Sequence, residues 1–264
     1  MLSDAAWAHL ASLPKLESLW VSGTPPTEIS KSIPRKLTFP ALELMKVVAD
    51  NTHQNWSLLF PLLESSPLQR VTVVVGPGIR YRDIPSQVTL AMLKAKLQRC
   101  VNTLIFIGFS PASLTSISHL GPFSSLKALE CDTRCRQSGR CVFPLTDSDI
   151  ERLASELPQL ANLWLGHECK YSPHRTTIRS MISLSTHCLS LETLYLPCNS
   201  TNISEDTKAE SGGFDPRLGV QSPCALHFLA FDWVVIPPPE DVEGVGIVAS
   251  ALRHLFPRLK STWD

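Results

Sequence analysis

The chain has 264 residues, of which 44% are apolar and 18% are charged, and its 24 basic residues balance its 24 acidic residues. This is the composition of an ordinary globular protein. A net charge of zero argues against a general nucleic-acid or membrane-surface binder. No stretch approaches the roughly 18 apolar residues that a membrane-spanning helix needs. We therefore expect neither nucleic acid nor membrane as a partner.

The start of the chain and its cysteines indicate the compartment. The first twenty residues lack a basic start and include Asp4, so no secretory signal is visible. Without such a signal, eight cysteines are expected to be reduced thiols rather than a disulfide framework. The expected location is therefore intracellular, in the cytoplasm or the nucleus.

A helix followed by a strand opens the chain, over residues 1–23. Ser3 and Asp4 supply an N-cap, and Pro14 ends the helix because it has no N–H to donate. The spacing Leu16-x-x-Leu19-x-Val21 then predicts a short strand. The unit is thus one short helix, a proline break and one strand.

The best-formed copy of this unit lies at 145–166, LTDSDIERLASELPQLANLWLG. Thr146 precedes two acidic residues at a helix start, and apolar residues follow at helical spacing. Pro158 ends that helix, and the spacing Leu160-x-x-Leu163-x-Leu165 predicts the strand. A helix and a strand of this size cannot bury their apolar faces alone, so they require similar neighbours.

The strand pattern recurs along the whole chain. Its first apolar residue falls at positions 16, 42, 68, 101, 126, 160, 191, 226 and 259, which are 25 to 35 residues apart. Helices are predicted at 56–63, 88–97, 114–120, 178–186 and 241–255, with loops at 22–38, 76–86, 132–144 and 166–177. This pattern predicts an α/β leucine-rich-repeat solenoid, or horseshoe, as a single domain over 1–264. Residues 197–224 are predicted to be a flexible polar loop insertion.

A doubly wound α/β sheet is the alternative, because it also alternates helix and strand. Two features argue against it. The signature Pro-x-Leu-x-x-Leu recurs before the strands, and no Gly-rich phosphate loop follows any of them. The run Gly76-Pro-Gly78 is a turn signal.

The pattern resembles the leucine-rich-repeat region of F-box-type proteins from mushroom-forming fungi. The resemblance is carried by LTDSDIERLASELPQLANLWLG, LSDAAWAHLASLPKLESLWVSG, LSTHCLSLETLYL and IVASALRHLFPRLKS. It implies the substrate-recognition part of a ubiquitin-ligase receptor, in which an F-box docks to a ligase adaptor and the repeats hold the target. The F-box is absent from this chain, which starts inside a repeat. An adaptor is therefore expected only if an F-box lies upstream, and the alternative is a stand-alone repeat scaffold with no ubiquitin link.

Catalysis finds no support in the sequence. No nucleophile-elbow, zinc-protease, Walker-type or dinucleotide motif is present. We therefore expect a monomeric, non-catalytic protein-binding module without a cofactor.

Two rows of strand residues are predicted to face the concave surface of the solenoid. They lie between the core leucines, and a curved repeat array presents such rows to partners. Trp164 and Tyr195, on adjacent strands, are predicted to anchor a protein ligand because aromatic side chains dominate binding energy. The alternative is that they pack on each other and on flanking loops. The candidate partner-binding residues are Trp20, Arg70, Thr72, Glu130, Asn162, Trp164, Thr193 and Tyr195.

The loops that follow four of the strands are repeatedly basic, with a combined net charge of +6. In a solenoid these loops share one rim, which suits an acidic or phosphorylated segment. The alternatives are ordinary solvated loop charge, or pairing with the net acidic insertion 197–224. The candidate rim residues are Arg80, Arg82, Arg134, Arg136, Arg140, Lys170 and Arg175.

A zinc site is a weaker candidate. Cys135, Cys141, His167 and Cys169 lie in two of these loops, and thiolates and imidazoles are zinc ligands. Their spacing matches no strong zinc signature, and Cys131 beside them falls at a core strand position. Free thiols without a metal are therefore the expectation.

Overall fold

The structure, a computed structural model, describes residues 4–22, 39–49, 59–75, 84–109, 117, 120–133, 144–166, 176–198, 224–230, 252 and 255–258. The strands in these ranges are β1 Ser18–Ser22, β2 Leu44–Ala49, β3 Arg70–Val75, β4 Thr103–Phe109, β5 Ala128–Thr133, β6 Asn162–Leu165, β7 Thr193–Tyr195 and β8 Phe228–Ala230. The α-helices are α1 Asp4–Ser12, α2 Ile84–Lys94, α3 Asp147–Glu156 and α4 Ile178–His187. Two 3-10 helices span Phe60–Leu63 and Leu97–Arg99.

The eight strands form one parallel sheet whose strand order is the order of the chain, from β1 to β8. The register aligns the second position of every strand, from Leu19 through Met45 and onward to Leu229. This confirms the α/β class. Among the described strands the order never reverses, unlike the order of a doubly wound sheet.

One hydrogen-bond arrangement recurs at each of the seven boundaries between neighbouring strands. The carbonyl before β1, that of Glu17, accepts from two successive N–H groups of the next strand, Glu43 N at 2.9 Å and Leu44 N at 3.0 Å. The carbonyls of Glu43, Gln69, Asn102, Lys127, Ala161 and Glu192 do the same in turn. The strands therefore begin at equivalent positions although the connections differ in length.

A tight turn leads into most of the strands and explains the recurring proline. In five turns the N–H of a leucine bonds to the carbonyl three residues earlier, at 2.8 to 3.4 Å. The bonded pairs are Leu16 to Leu13, Leu42 to Phe39, Leu126 to Phe123, Leu160 to Leu157 and Leu191 to Cys188. Proline fits the second position of such a turn because its φ is preset and its missing N–H is not needed there. Pro14, Pro40 and Pro158 occupy that position.

The core lies on one face of the sheet. Alternate strand residues such as Leu163 and Leu165 are fully buried, and they share one cluster with buried helix residues such as Ile150 and Met181. The residues between them, on the opposite face, are mostly exposed or half-buried. None of the helices in the described ranges is long and apolar enough to cross a membrane.

Helices α3 and α4 are joined by one carboxylate. Thr146 caps α3 in a reciprocal bond with Asp149. The next residue, Asp147, accepts from Thr177 N at 2.7 Å, from Thr177 Oγ1 at 2.8 Å and from Ser180 Oγ at 2.5 Å. Asp147 therefore satisfies donors at the start of α4, the helix of the following repeat.

Several predicted boundaries differ from the structure. Helix α2 begins at Ile84, inside the predicted loop 76–86, because a proline such as Pro85 is tolerated in the first helical turn. It ends at Lys94, and Lys96 takes a left-handed conformation with φ of 57° before the second 3-10 helix. In the predicted helix 56–63, the described part is the 3-10 helix Phe60–Leu63. Most of the predicted helices 114–120 and 241–255, and of the insertion 197–224, lie outside the described residues.

We predict that Gly108→Ala destabilises the fold. Gly108 sits at a register shift between β4 and β5 with φ of +82°, and an added Cβ would lie 2.8 Å from the Val75 carbonyl oxygen. Such strain costs about 1–3 kcal/mol, measured as the free energy of unfolding in urea. Gly121→Ala is the control, because its Cβ would meet only the movable end of Glu156. Equal stability of the two variants would contradict the prediction.

We predict that Asp147→Ala lowers stability by about 1–3 kcal/mol, because it leaves the α4 donors on Thr177 and Ser180 without their acceptor. Glu151→Ala, an exposed change on α3, is the matched control. Urea unfolding followed by circular dichroism measures both. A loss no greater than that of the control would show that the bridge between the repeats is dispensable.

Candidate functional site

The candidate site is the face of the sheet opposite the core, called here the open face. Two rows of residues cross it in register. The first row is Ser18, Leu44, Arg70, Thr103, Ala128, Asn162, Thr193 and Phe228. The second row is Trp20, Lys46, Thr72, Ile105, Glu130, Trp164, Tyr195 and Ala230. All eight predicted partner-binding residues therefore lie in these rows, on neighbouring parallel strands.

Exposure varies along the rows and differs from expectation at two positions. Trp20 is 68% exposed, and Arg70 and Asn162 are also exposed. Thr72 and Tyr195 lie on the open face as predicted but are buried, at 9% and 8% exposure, so neither offers much contact area. Glu130, Trp164 and Thr193 are half-buried.

Phe228 is a further open-face residue that was not among the predicted partner-binding residues. It lies in the first row on β8, in register with Thr193, and is 43% exposed. The strand spacing that predicted the other row residues also predicts that Phe228 lies in the first row. An exposed phenylalanine in that position adds apolar contact area beside β7.

Trp164 and Tyr195 stack on each other. Their ring centroids are 4.6 Å apart and their planes differ by 8°. The two residues are in register on β6 and β7, and parallel strands lie about 4.8 Å apart, so strand spacing alone brings the rings to stacking distance. The two rings therefore pack on each other, as in the alternative given in the sequence analysis. Part of the Trp164 surface stays accessible.

Trp20 makes a different contact at the other end of the sheet. The Lys46 ammonium lies 4.2 Å from the centre of the Trp20 ring, and the two residues are in register on β1 and β2. This is a cation–π contact between neighbouring strands. It holds an indole in place while leaving most of its surface exposed.

The charge on the open face changes sign along the sheet. Lys46 and Arg70 place positive charge on β2 and β3, whereas Glu130 and Asp132 place negative charge on β5. With strands about 4.8 Å apart, β3 and β5 are separated by roughly 10 Å. The acidic strand, β5, adjoins β6, which carries Trp164 of the Trp164–Tyr195 stack.

The buried cysteines are structural. The Cys188 thiol donates to the carbonyls of Ala154 and Leu157 at 3.7 and 3.6 Å, and the Cys224 thiol donates to those of Cys188 and Leu191 at 3.6 Å. Burial, with Cys224 nearby, raises the pKa of Cys188 to about 12. A thiol with so high a pKa stays protonated and is a poor nucleophile. These thiols instead satisfy carbonyls at the ends of helices and turns.

Two further cysteines of the described residues are buried in the same way. Cys131 is buried at its core strand position, as the sequence indicated, and Cys198 is also buried. Burial raises the pKa of both thiols, that of Cys198 to about 12 with the Asp147 carboxylate adding to the shift. None of the five cysteines in the described ranges forms a disulfide.

The basic rim and the zinc candidates lie outside the described residues. The rim residues there are Arg80, Arg82, Arg134, Arg136, Arg140, Lys170 and Arg175, and the zinc candidates are Cys135, Cys141, His167 and Cys169. Within the described ranges, no group of three or more His, Cys, Asp or Glu residues is placed to hold a metal ion. Both interpretations stay predictions.

Comparisons with known proteins found no match: no protein-family model, no curated protein and no solved structure is detectably similar to this chain.

We predict that Trp164 and Tyr195 stabilise the fold jointly. A double-mutant cycle of Trp164→Ala, Tyr195→Ala and the double variant should give a coupling energy of about 0.5–1.5 kcal/mol, as expected for a stacked aromatic pair. The measurement is the free energy of unfolding in urea. Strictly additive losses would mean that the stack contributes nothing beyond the burial of each ring.

Proposed function

We propose that the protein is a non-catalytic protein-binding repeat module, a leucine-rich-repeat solenoid whose open face is the concave, ligand-binding surface. Support comes from the strand order, in which eight parallel strands follow one another without reversal. The repeated carbonyl arrangement at the seven strand boundaries indicates that each unit stacks on the previous one in the same way. Such arrays bind partners along the exposed face of the strands.

One observation carries the binding proposal. Side chains typical of protein interfaces lie on the open face, which does not contribute to the core. Trp20 is exposed beside Lys46, Trp164 is half-buried against Tyr195, and Phe228 is exposed next to β7. Aromatic residues are enriched at the energetic centres of interfaces. These aromatic residues lie near the two ends of the sheet, on β1 and on β6 to β8.

We propose further that the module is the substrate-recognition part of an F-box-type ubiquitin-ligase receptor, acting inside the cell as a monomer. The support is the repeat pattern quoted above, best formed at 145–166. An adaptor would then bind an F-box upstream of these repeats. The alternative is a scaffold without a ubiquitin link, and an F-box in the same open reading frame would separate the two.

We predict that the double variant Trp164→Ala/Tyr195→Ala loses partner binding while remaining folded. The full chain serves as bait in affinity capture from cells that express it, and the Kd of the purified partner is then measured for each variant. Loss of an aromatic anchor costs about 2 kcal/mol or more, which is about 30-fold in Kd.

The matched control is Leu90→Ala/Leu189→Ala, which removes two exposed leucines that lie outside the strands. It should bind the partner like the wild type. Circular dichroism establishes that both double variants retain helix and sheet. A folded Trp164→Ala/Tyr195→Ala variant that binds with unchanged Kd would rule out this part of the open face as the binding surface.

A further inference from the structure

We propose that the β1–β4 part of the open face binds an acidic segment of a protein partner, with a carboxylate held above the sheet by Lys46 and Arg70. This inference rests on the proposed function and deepens it, because it names the chemistry that this surface recognises. The β1–β4 surface consists of the members of the first and second rows on these strands and of a third row in register, which is Ser22, Val48, Val74 and Ile107.

The charged side chains of the β1–β4 surface are all positive. Lys46 lies in the second row on β2 and Arg70 in the first row on β3, and the remaining members of the rows are uncharged. Glu17 and Glu43 precede β1 and β2, but no ion pair within the described residues joins either carboxylate to these cations. The surface therefore attracts an anion and holds no acidic side chain that would compete with it.

Both cations can reach a ligand above the sheet. Arg70 is exposed, and its side chain makes no hydrogen bond or ion pair with another described residue. Lys46 contacts the ring of Trp20, 4.2 Å from its centre, and this cation–π contact does not neutralise the ammonium. Because Lys46 and Arg70 lie on neighbouring strands and in different rows, their Cα atoms are about 8 Å apart. The ends of the two long side chains can therefore hold one carboxylate without parting the strands.

Apolar side chains lie on both sides of the two cations. Trp20 on β1 is 68% exposed, so a ligand can contact the indole without displacing Lys46. On the other side, Ile105 and Ile107 of β4 are half-buried on the open face. Two cations between apolar residues, on a chain of zero net charge, suit a short acidic peptide segment better than the regular phosphates of a nucleic acid.

The strand spacing sets the spacing of side chains in the ligand. With strands about 4.8 Å apart, the midpoint between β2 and β3 lies about 7 Å from β1 and about 7 Å from β4. In an extended peptide, side chains on one side are also about 6.7 Å apart, because every second residue points the same way. A segment that crosses the strands would place one apolar side chain over Trp20, its acidic side chain over β2 and β3, and a second apolar side chain over Ile105. The preferred sequence is therefore apolar-x-acidic-x-apolar.

The test uses the full chain and two synthetic peptides that differ in one charge. They are acetyl-GLSESLG-amide and acetyl-GLSQSLG-amide, in which glutamine keeps the approximate shape of glutamate without its charge. Binding is followed by the side-chain indole N–H signals in two-dimensional nitrogen–proton NMR, with the Trp20 signal assigned from Trp20→Phe. The glutamate peptide should shift that signal, and the glutamine peptide should bind with a Kd about fivefold higher.

The variant Arg70→Gln should weaken binding of the glutamate peptide about three- to fivefold and leave binding of the glutamine peptide unchanged. Arg99→Gln is the matched control, because it removes the same charge from an exposed arginine that lies outside the strands. Raising NaCl from 50 to 500 mM should weaken the glutamate peptide more than the glutamine peptide. Circular dichroism establishes that each variant retains helix and sheet.

Four outcomes would overturn the proposal. They are equal affinity for the two peptides, a glutamate-peptide affinity that Arg70→Gln leaves unchanged, no shift of the Trp20 signal at 10 mM peptide, and tighter binding of a single-stranded oligothymidylate than of the glutamate peptide.

Failure of this proposal is distinguishable from failure of the proposed function. If Trp164→Ala/Tyr195→Ala abolishes partner binding while the peptides fail, the open face binds protein without an acidic segment on β1 to β4. If that double variant keeps its partner and the peptides also fail, neither end of the open face is the binding surface. If it keeps its partner and the peptides bind as expected, the β1–β4 surface is the binding surface.

Discussion

The in-register pairing of eight parallel strands is the constraint on which the rest of the molecule depends. Each boundary repeats the same two hydrogen bonds to one carbonyl, from Glu17 to Glu192, and so sets both the start and the spacing of the next strand. That spacing, about 4.8 Å, brings equivalent side chains of neighbouring strands within contact. The Trp164–Tyr195 stack and the Lys46–Trp20 contact both join register partners, and both follow from it. A shift of one residue in register would send these side chains to the core face.

The connections tolerate variation because the ends of each unit are satisfied locally. In five units the turn before the strand closes its own hydrogen bond, and three of these turns have proline at the second position, so the preceding segment need only end in the right place. Polar contacts then fasten one unit to the next, as Asp147 does for the start of α4 and the Cys188 thiol for the carbonyls of Ala154 and Leu157. These contacts are made by side chains at helix ends and turns, where backbone groups lack helical partners. Intervals of 25 to 35 residues therefore coexist with one regular sheet.

The sheet could be predicted from the sequence because its core positions require apolar residues at a regular spacing. The leucine spacing predicted nine strands, of which the eight in the described ranges are present in the predicted order, with row positions that match the register. The ninth, at Leu259, lies outside the described residues. The start of α2 was missed because Pro85 reads as a breaker yet is tolerated in a first helical turn. Burial on the open face was also missed at Thr72 and Tyr195, because exposure there depends on the neighbours across the sheet rather than on the strand's own alternation. The partner of a side chain such as Asp147 lies thirty residues away and leaves no local signal.

The fold is easier to predict from this sequence than the ligand, because different residues determine the two. Leu163 and Leu165 are fully buried, so packing in the core determines that these positions are apolar. They indicate the fold and carry no information about a ligand. Glu130 and Trp164 alternate with such residues and lie on the open face rather than in the core. Their residue types therefore depend on their neighbours on that face and on any partner that contacts it.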